Sequence, residues 1–126
     1  MTQPIGLLLC DDLIFASRIT STATAAGALM KVAKTPNSLL DFARQSIPRC
    51  VIIYLHSRDL DIARAMAELG GLTPKPFVVG YGSHVDTATL NAARAAGCDI
   101  VWPRSKFTQE LETTLPKWFA ISEVEA

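Results

Sequence analysis

The side chains of this sequence that are suited to chemistry stand at the ends of its apolar runs. Asp11 and Asp12 follow the run that ends at Cys10, and Arg104 follows a later run that ends at Pro103. A pair of carboxylates offers hard oxygen ligands to a divalent cation, and a guanidinium binds an anion or pairs with the carboxylates themselves. The remaining candidates are Tyr54 and His56, at the end of a third run, and Tyr81, Ser83 and His84, at the end of a fourth.

Short apolar runs alternate along the chain with longer segments of helical period. This alternation predicts five βα units in an α/β fold, a doubly wound parallel sheet covered by helices on both faces. The predicted strands are Ile5 to Cys10, Leu29 to Ala33, Cys50 to Leu55, Phe77 to Tyr81 and Asp99 to Trp102. Right-handed crossovers with one reversal of strand order bring the loops after the first, third, fourth and fifth strands around one crevice. The candidate residues are expected at that crevice.

Capping residues mark the predicted helices. The start and stop signals are Asp12 and Gly27 for the first helix, Thr35 and Pro36 for the second, Ser57 and Gly70-Gly71 for the third, and Asp86 and Gly97 for the fourth. The fifth helix is predicted from Lys106 to Phe119, with a local break at Pro116, which has no backbone N–H to donate. The tail from about residue 120 is predicted to be loose. No linker or repeat interrupts the pattern, so residues 1–126 are expected to form a single domain.

Composition limits the class of protein. The 126 residues are 49% hydrophobic and 19% charged, with mean hydropathy +0.25, which excludes a disordered chain. The 12 basic residues balance 12 acidic ones, so no net charge favours nonspecific binding of nucleic acid. No basic leader precedes an unbroken apolar run, and no segment approaches the ~18 apolar residues of a membrane helix. We therefore expect a cytoplasmic protein with reduced cysteines that binds neither nucleic acid nor membrane.

The chain resembles the response-regulator receiver family over nearly its whole length. In that family an acidic pair after the first strand helps to bind magnesium, and Asp11 and Asp12 of LLLCDD match it. Gly97 and Cys98 match the family's Gly-Ala turn after the fourth helix. The resemblance implies a flavodoxin-like (βα)5 fold with strand order 2-1-3-4-5.

The same resemblance shows where the reactive positions depart from the family. Tyr54 stands where receivers carry the carboxylate that accepts a phosphoryl group from a histidine kinase. Tyr81 stands in place of the Thr or Ser after the fourth strand, with Ser83 two residues on, and Arg104 in place of the Lys after the fifth. Val101 replaces the switch aromatic of the fifth strand. The chain thus looks like a pseudo-receiver, with the scaffold kept and the chemistry lost.

Acid strength gives the physical consequence of the substitution at Tyr54. A carboxylate is ionised and nucleophilic at neutral pH, whereas a phenol with a pKa near 10 is neutral. Tyr54 therefore cannot form an acyl phosphate, and Asp11 and Asp12 alone hold magnesium only weakly. Arg104 is expected to pair with these carboxylates as a bidentate partner, and a residual metal site at Asp11 and Asp12 stays an alternative. Asp12 is also interpretable simply as a helix cap.

Two function classes remain open from the sequence. The first is a non-enzymatic two-component signalling or adaptor domain without a cofactor. It would contact a protein, a second copy of the chain included, through its fourth and fifth units. Trp102, Phe107 and Trp118 would anchor that interface or else pack in the core. The alternative is a small flavodoxin-like enzyme or anion or nucleotide binder whose rim residues are Asp11, Asp12, Ser83, His84 and Arg104. His56 and His84 are interpretable as acid/base or metal partners, or as surface hydrogen-bonding residues.

Overall fold

Five parallel strands form one sheet in the order β2-β1-β3-β4-β5, which confirms the predicted fold class. The computed structural model describes residues 3–125, with side chains up to residue 119. The strands are β1 (Ile5–Leu9), β2 (Leu29–Ala33), β3 (Cys50–Tyr54), β4 (Phe77–Gly82) and β5 (Ile100–Pro103). The helices are α1 (Leu13–Ala25), α2 (Pro36–Ser46), α3 (Ile62–Gly70), α4 (Thr87–Ala96) and α5 (Arg104–Glu125).

Two hydrophobic layers enclose the sheet, and the strands supply side chains to both. Because successive side chains of a strand point to opposite faces, Leu8 packs in the layer formed with α1 and α5, whereas Leu7 and Leu9 pack in the other. That second layer is formed with α2, α3 and α4. All three leucines are 0% exposed. The apolar runs of β1, β3 and β4 are therefore strands buried on both faces, whereas the edge strands β2 and β5 are partly exposed.

Side-chain caps fix where the helices begin. Asp12 Oδ1 accepts hydrogen bonds from the backbone N–H groups of Ile14 and Phe15 at 3.1 Å each, and Asp86 Oδ1 accepts one from the Thr89 N–H at 3.1 Å. The third helix differs from the prediction, since it begins after a cap at Asp61, four residues beyond the predicted start signal Ser57. The Ser57 hydroxyl instead donates to the carbonyl oxygen of Tyr54 at 2.6 Å and closes a turn after β3.

Helix α5 begins at Arg104, two residues earlier than predicted, and runs on through Pro116. The predicted break at Pro116 is therefore wrong. Pro116 and Glu112 both lie on the exposed side of the helix, so water can bond the carbonyl that proline leaves without a donor. Leu115 and Trp118, on the opposite side, are buried and hold the helix to the sheet. The loose tail expected from about residue 120 stays a prediction, since the side chains from residue 120 onward lie outside the described part of the chain.

No helix within residues 3–125, the long α5 included, has both the length and the apolar character needed to cross a lipid bilayer.

Strand register keeps two of the cysteines apart. Cys50 lies opposite Gly6 in the parallel β1–β3 pair, whereas Cys10 comes four residues after Gly6. At ~3.3 Å per residue the separation is roughly 13 Å, beyond the reach of a disulfide.

Burial raises the pKa of the Cys98 thiol to about 11 and that of Cys50 above its ordinary value. Both thiols are therefore protonated at neutral pH.

Candidate functional site at the carboxyl ends of the strands

A cleft of about 240 Å³ opens where β1, β3 and β4 end. Its walls are Cys10, Asp11, Asp12, Phe15, Tyr54, Tyr81 and Arg104. Five of the six residues that the resemblance assigns to the degenerate receiver site thus line one cleft. Ser83, the sixth, lies outside its lining, as does His84, so the residues proposed for an anion-binding rim are not all brought together.

Asp12 links the start of α1 to the start of α5. Its Oδ1 caps α1, and its Oδ2 lies 3.4 Å from Nη2 of Arg104. The N–H of Phe15, together with the N–H of Ile14 and the Arg104 guanidinium, holds the pKa of Asp12 below its usual range. The guanidinium also lies over the Phe15 ring, 4.5 Å from its centre. Arg104 is thus held by one carboxylate contact and one aromatic face rather than by the expected bidentate pairing.

The carboxylates do not make a complete magnesium site. The structure shows no group of three or more His, Cys, Asp or Glu side chains placed to hold a metal ion within the part of the chain it describes. Both oxygens of Asp12 already accept hydrogen bonds, one from the helix cap and one from Arg104. Asp11 is exposed. Mg²⁺ requires near-octahedral oxygen ligation, and two carboxylates, one of them engaged, fit that requirement poorly.

Tyr54 is the last residue of β3 and places its ring at the cleft. It lies opposite Tyr81 in the β3–β4 register, and the two ring centres are 5.4 Å apart. The rings of Tyr54 and His56 pack edge to face, with their centres 5.5 Å apart. The half-buried phenol therefore occupies the position that the sequence resemblance assigns to a phosphoacceptor carboxylate.

Tyr81 forms the floor of the cleft and points into the core. Its ring stacks on Phe107 with centres 4.4 Å apart and a 15° angle between the planes, and its hydroxyl donates to Cys10 Sγ at 3.4 Å. Burial raises the pKa of Tyr81 above its ordinary value, so the phenol stays neutral. At the position where the sequence resemblance leads one to expect a small hydroxyl residue, the chain therefore has a core aromatic.

The three aromatics considered for an interface fall into two groups. Phe107 and Trp118 are 0% and 2% exposed, as the core-packing interpretation requires, and they stack with centres 6.0 Å apart. Trp102 on β5 is only partly buried. Its ring packs against Trp118 at 5.9 Å, and Lys106 Nζ lies 5.1 Å from its centre. Of the three, Trp102 is the one that a partner can contact directly.

His56 joins two loops at the rim. Its Nε2 accepts a hydrogen bond from the backbone N–H of Ser83 at 2.8 Å, and its Nδ1 lies 3.8 Å from Asp86 Oδ2. A pairing of His56 with His84 is one interpretation of the sequence, but the structure places His84 on the exposed side of the β4–α4 loop. Asp86 had been recognised only as the start of the fourth helix. Its role as the neighbour of His56 depends on loop geometry that residue spacing does not reveal.

The sequence matches no protein-family model, and no curated protein is detectably similar to it. Solved structures with the same fold are nevertheless numerous. The response-regulator receiver domain protein (CheY-like) from Methanospirillum hungatei JF-1 superposes with TM-score 0.84 at 13% identity, over 99% of this chain and 100% of that one.

Two further structures show the same likeness. The signal receiver domain of a LuxO repressor protein from Vibrio parahaemolyticus superposes with TM-score 0.82 at 14% identity, over 98% of this chain and 95% of that one. NtrX from Brucella abortus, solved in complex with ADP, gives TM-score 0.79 at 15% identity, over 98% of this chain but 28% of that longer one. The chain therefore has the fold of a response-regulator receiver domain.

Proposed function

We propose that this chain is a receiver-like signalling domain that accepts no phosphoryl group at residue 54 and acts through contact with another protein. The observation that carries the proposal is Tyr54 at the end of β3, in the wall of the cleft that Asp11 and Asp12 also line. A neutral phenol there is a far weaker nucleophile toward an acyl or phosphoryl donor than an ionised carboxylate. The domain has no catalysed reaction of its own in this proposal.

Two further contacts support a domain that stays in one state. Arg104 supplies a permanent positive charge beside Asp12, at the place where receivers use a metal ion and a lysine. Tyr81 is enclosed between Cys10 and Phe107, so it is not available to follow a phosphoryl group as a mobile hydroxyl residue would. Both arrangements persist without any covalent modification of the site.

Incubation with acetyl phosphate and Mg²⁺ is expected to leave the intact mass of the protein unchanged. The reason is that no ionised nucleophile stands at residue 54 and that the oxygen ligands for Mg²⁺ are incomplete. An active receiver domain in the same incubation serves as the positive control for the reagent. A stoichiometric phosphoryl adduct that alkali removes would overturn the proposal, because it would show that a carboxylate of this chain accepts phosphate.

The partner surface that we propose is formed by α4, β5 and α5. β5 is an edge strand of the sheet, and Trp102 presents a partly exposed ring there with the Lys106 ammonium beside it. A tryptophan that is partly exposed at the surface is typical of an interface anchor. A second copy of the chain is the partner that is simplest to test.

Sedimentation over a range of protein concentrations is expected to show self-association that Trp102→Ala weakens. Phe42→Ala is the matched control, because Phe42 also carries a lysine over its ring, with Lys31 Nζ 3.9 Å from the centre, but lies on α2. We expect the control to associate like the unmodified protein. A sedimentation coefficient that does not depend on concentration, or that both variants change equally, would argue against a second copy at this surface.

A further inference from the structure

His56 sits between two loops that rim the cleft. It follows β3, and its ring packs against the loop that joins β4 to α4. Gly82, at the end of β4, permits this approach: a Cβ at that position would lie 2.9 Å from His56 Nε2. The ring is therefore enclosed on one side by Tyr54 and on the other by the backbone of Gly82 and Ser83.

The hydrogen bond from Ser83 fixes the charge state of the ring. A backbone N–H only donates, so Nε2 must carry a lone pair, and the imidazole must be neutral with its proton on Nδ1. That proton faces Asp86 Oδ2, which lies 3.8 Å from Nδ1. The observed geometry is thus the geometry of a neutral histidine.

We propose that His56 is a proton-sensitive latch that holds the β4–α4 loop against the β3–α3 loop while its ring is neutral. When Nε2 takes up a proton, it becomes a donor that faces the Ser83 N–H, and two donors 2.8 Å apart repel each other. The bond is then lost, and the backbone from Ser83 to Val85 is released from the ring. Histidine is the side chain whose ordinary pKa places this change between about pH 5 and pH 8.

Asp86 can form an ion pair with the protonated ring of His56. The hydroxyl of Thr89 donates to Asp86 Oδ2 at 2.7 Å and its N–H donates to Oδ1 at 3.1 Å. These bonds hold the pKa of Asp86 below its usual range, so its carboxylate stays charged as the histidine titrates. Among the described residues, the titratable groups that face the ring are Asp86, at the start of α4, and Tyr54, at the end of β3. The imidazolium therefore exchanges a backbone hydrogen bond for an ion pair.

The latch acts on a segment that lies at the surface. Val85, within the released segment, is 76% exposed, and the segment leads directly into α4, which belongs to the proposed partner surface. Protonation of His56 thus changes the position of a loop beside that surface. The inference itself rests on the His56 contacts and does not require the proposed function to be correct.

Nuclear magnetic resonance of the full chain between about pH 8 and about pH 5 tests the latch. We expect the Ser83 amide signal to move with the same midpoint as the ring protons of His56. We also expect hydrogen exchange at that amide, corrected for its intrinsic rate at each pH, to lose protection as the ring is protonated. A Ser83 amide signal that stays constant while the His56 ring titrates would overturn the proposal.

Three variants separate the latch from a general effect of acid. His56→Gln keeps an acceptor but cannot be protonated, so its Ser83 amide signal is expected to lose the pH dependence. His84→Gln is the matched control, and it is expected to keep that dependence because His84 lies outside the contact. Gly82→Ala pushes the ring away and is expected to leave Ser83 unprotected at every pH. If His84→Gln, and not His56→Gln, loses the pH dependence of the Ser83 amide signal, then His84 is the residue that titrates and the latch proposal is wrong.

Discussion

Replacement of Trp118 by alanine is expected to lower the free energy of unfolding by about 3–5 kcal/mol. The indole is 2% exposed and packs between Phe107 and Trp102, with ring centres 6.0 Å and 5.9 Å away. Its removal leaves a cavity that the strands and α5 cannot fill, since they are held by contacts elsewhere along their lengths. Denaturant unfolding measures the loss as a lower midpoint at constant slope.

Trp102→Ala is the matched control for this loss. The two tryptophans touch each other, but Trp102 is partly exposed at the sheet edge, so its truncation removes less buried surface. We expect a clearly smaller change than for Trp118→Ala. If Trp118→Ala is too unstable to purify, Trp118→Phe reports the same site with a smaller cavity. Equal stability of the unmodified protein and both Trp118 variants would mean that this indole is on the surface and would contradict the observed core.

Local signals explain why most of the fold was predictable. The caps at Asp12 and Thr35 and the left-handed turn at Gly97 each depend on residues adjacent in sequence, and all three are observed. The behaviour of Pro116 depends instead on which side of α5 faces the solvent, and residue type alone does not give that. Residue type also does not predict the position of Trp118, because a tryptophan fits a core as well as an interface anchor.

The sequence predicts which candidate residues lie together where this depends on strand ends, but not where it depends on side-chain direction. Five of the residues assigned by resemblance line the observed cleft, because parallel strands end at one edge of the sheet. The inward position of Tyr81 was not predicted, although the alternation along β4 contained the signal: Tyr81 shares a face with Val79, and both pack in the layer beneath α5. The contact of His56 with Ser83 joins two loops, and no periodic pattern reports such a contact.

Tyr54→Asp is expected to create a response to Mg²⁺ that the unmodified protein lacks. The change places a third carboxylate at the cleft that Asp11 and Asp12 line. Without metal, the added charge is repelled by its neighbours and the ring contacts with Tyr81 and His56 are lost, so the variant should be less stable. Mg²⁺ that binds only the folded state reverses this loss, by about 2.7 kcal/mol when its concentration is ~100 times the dissociation constant. Thermal unfolding at increasing Mg²⁺ concentration measures the effect.

Tyr54→Asn separates the charge of the new side chain from its size. It removes the same ring and adds a group of similar volume without a negative charge, so it should be destabilised but should not respond to Mg²⁺. A response in the unmodified protein as large as in Tyr54→Asp would show that Asp11 and Asp12 already bind the ion and that residue 54 is not the missing ligand. If Tyr54→Asp does not respond, the pairing of Asp12 with Arg104, at 3.4 Å, blocks the site by itself. Both Tyr54 and Arg104 would then prevent Mg²⁺ binding, which contradicts the assignment of this loss to Tyr54 alone.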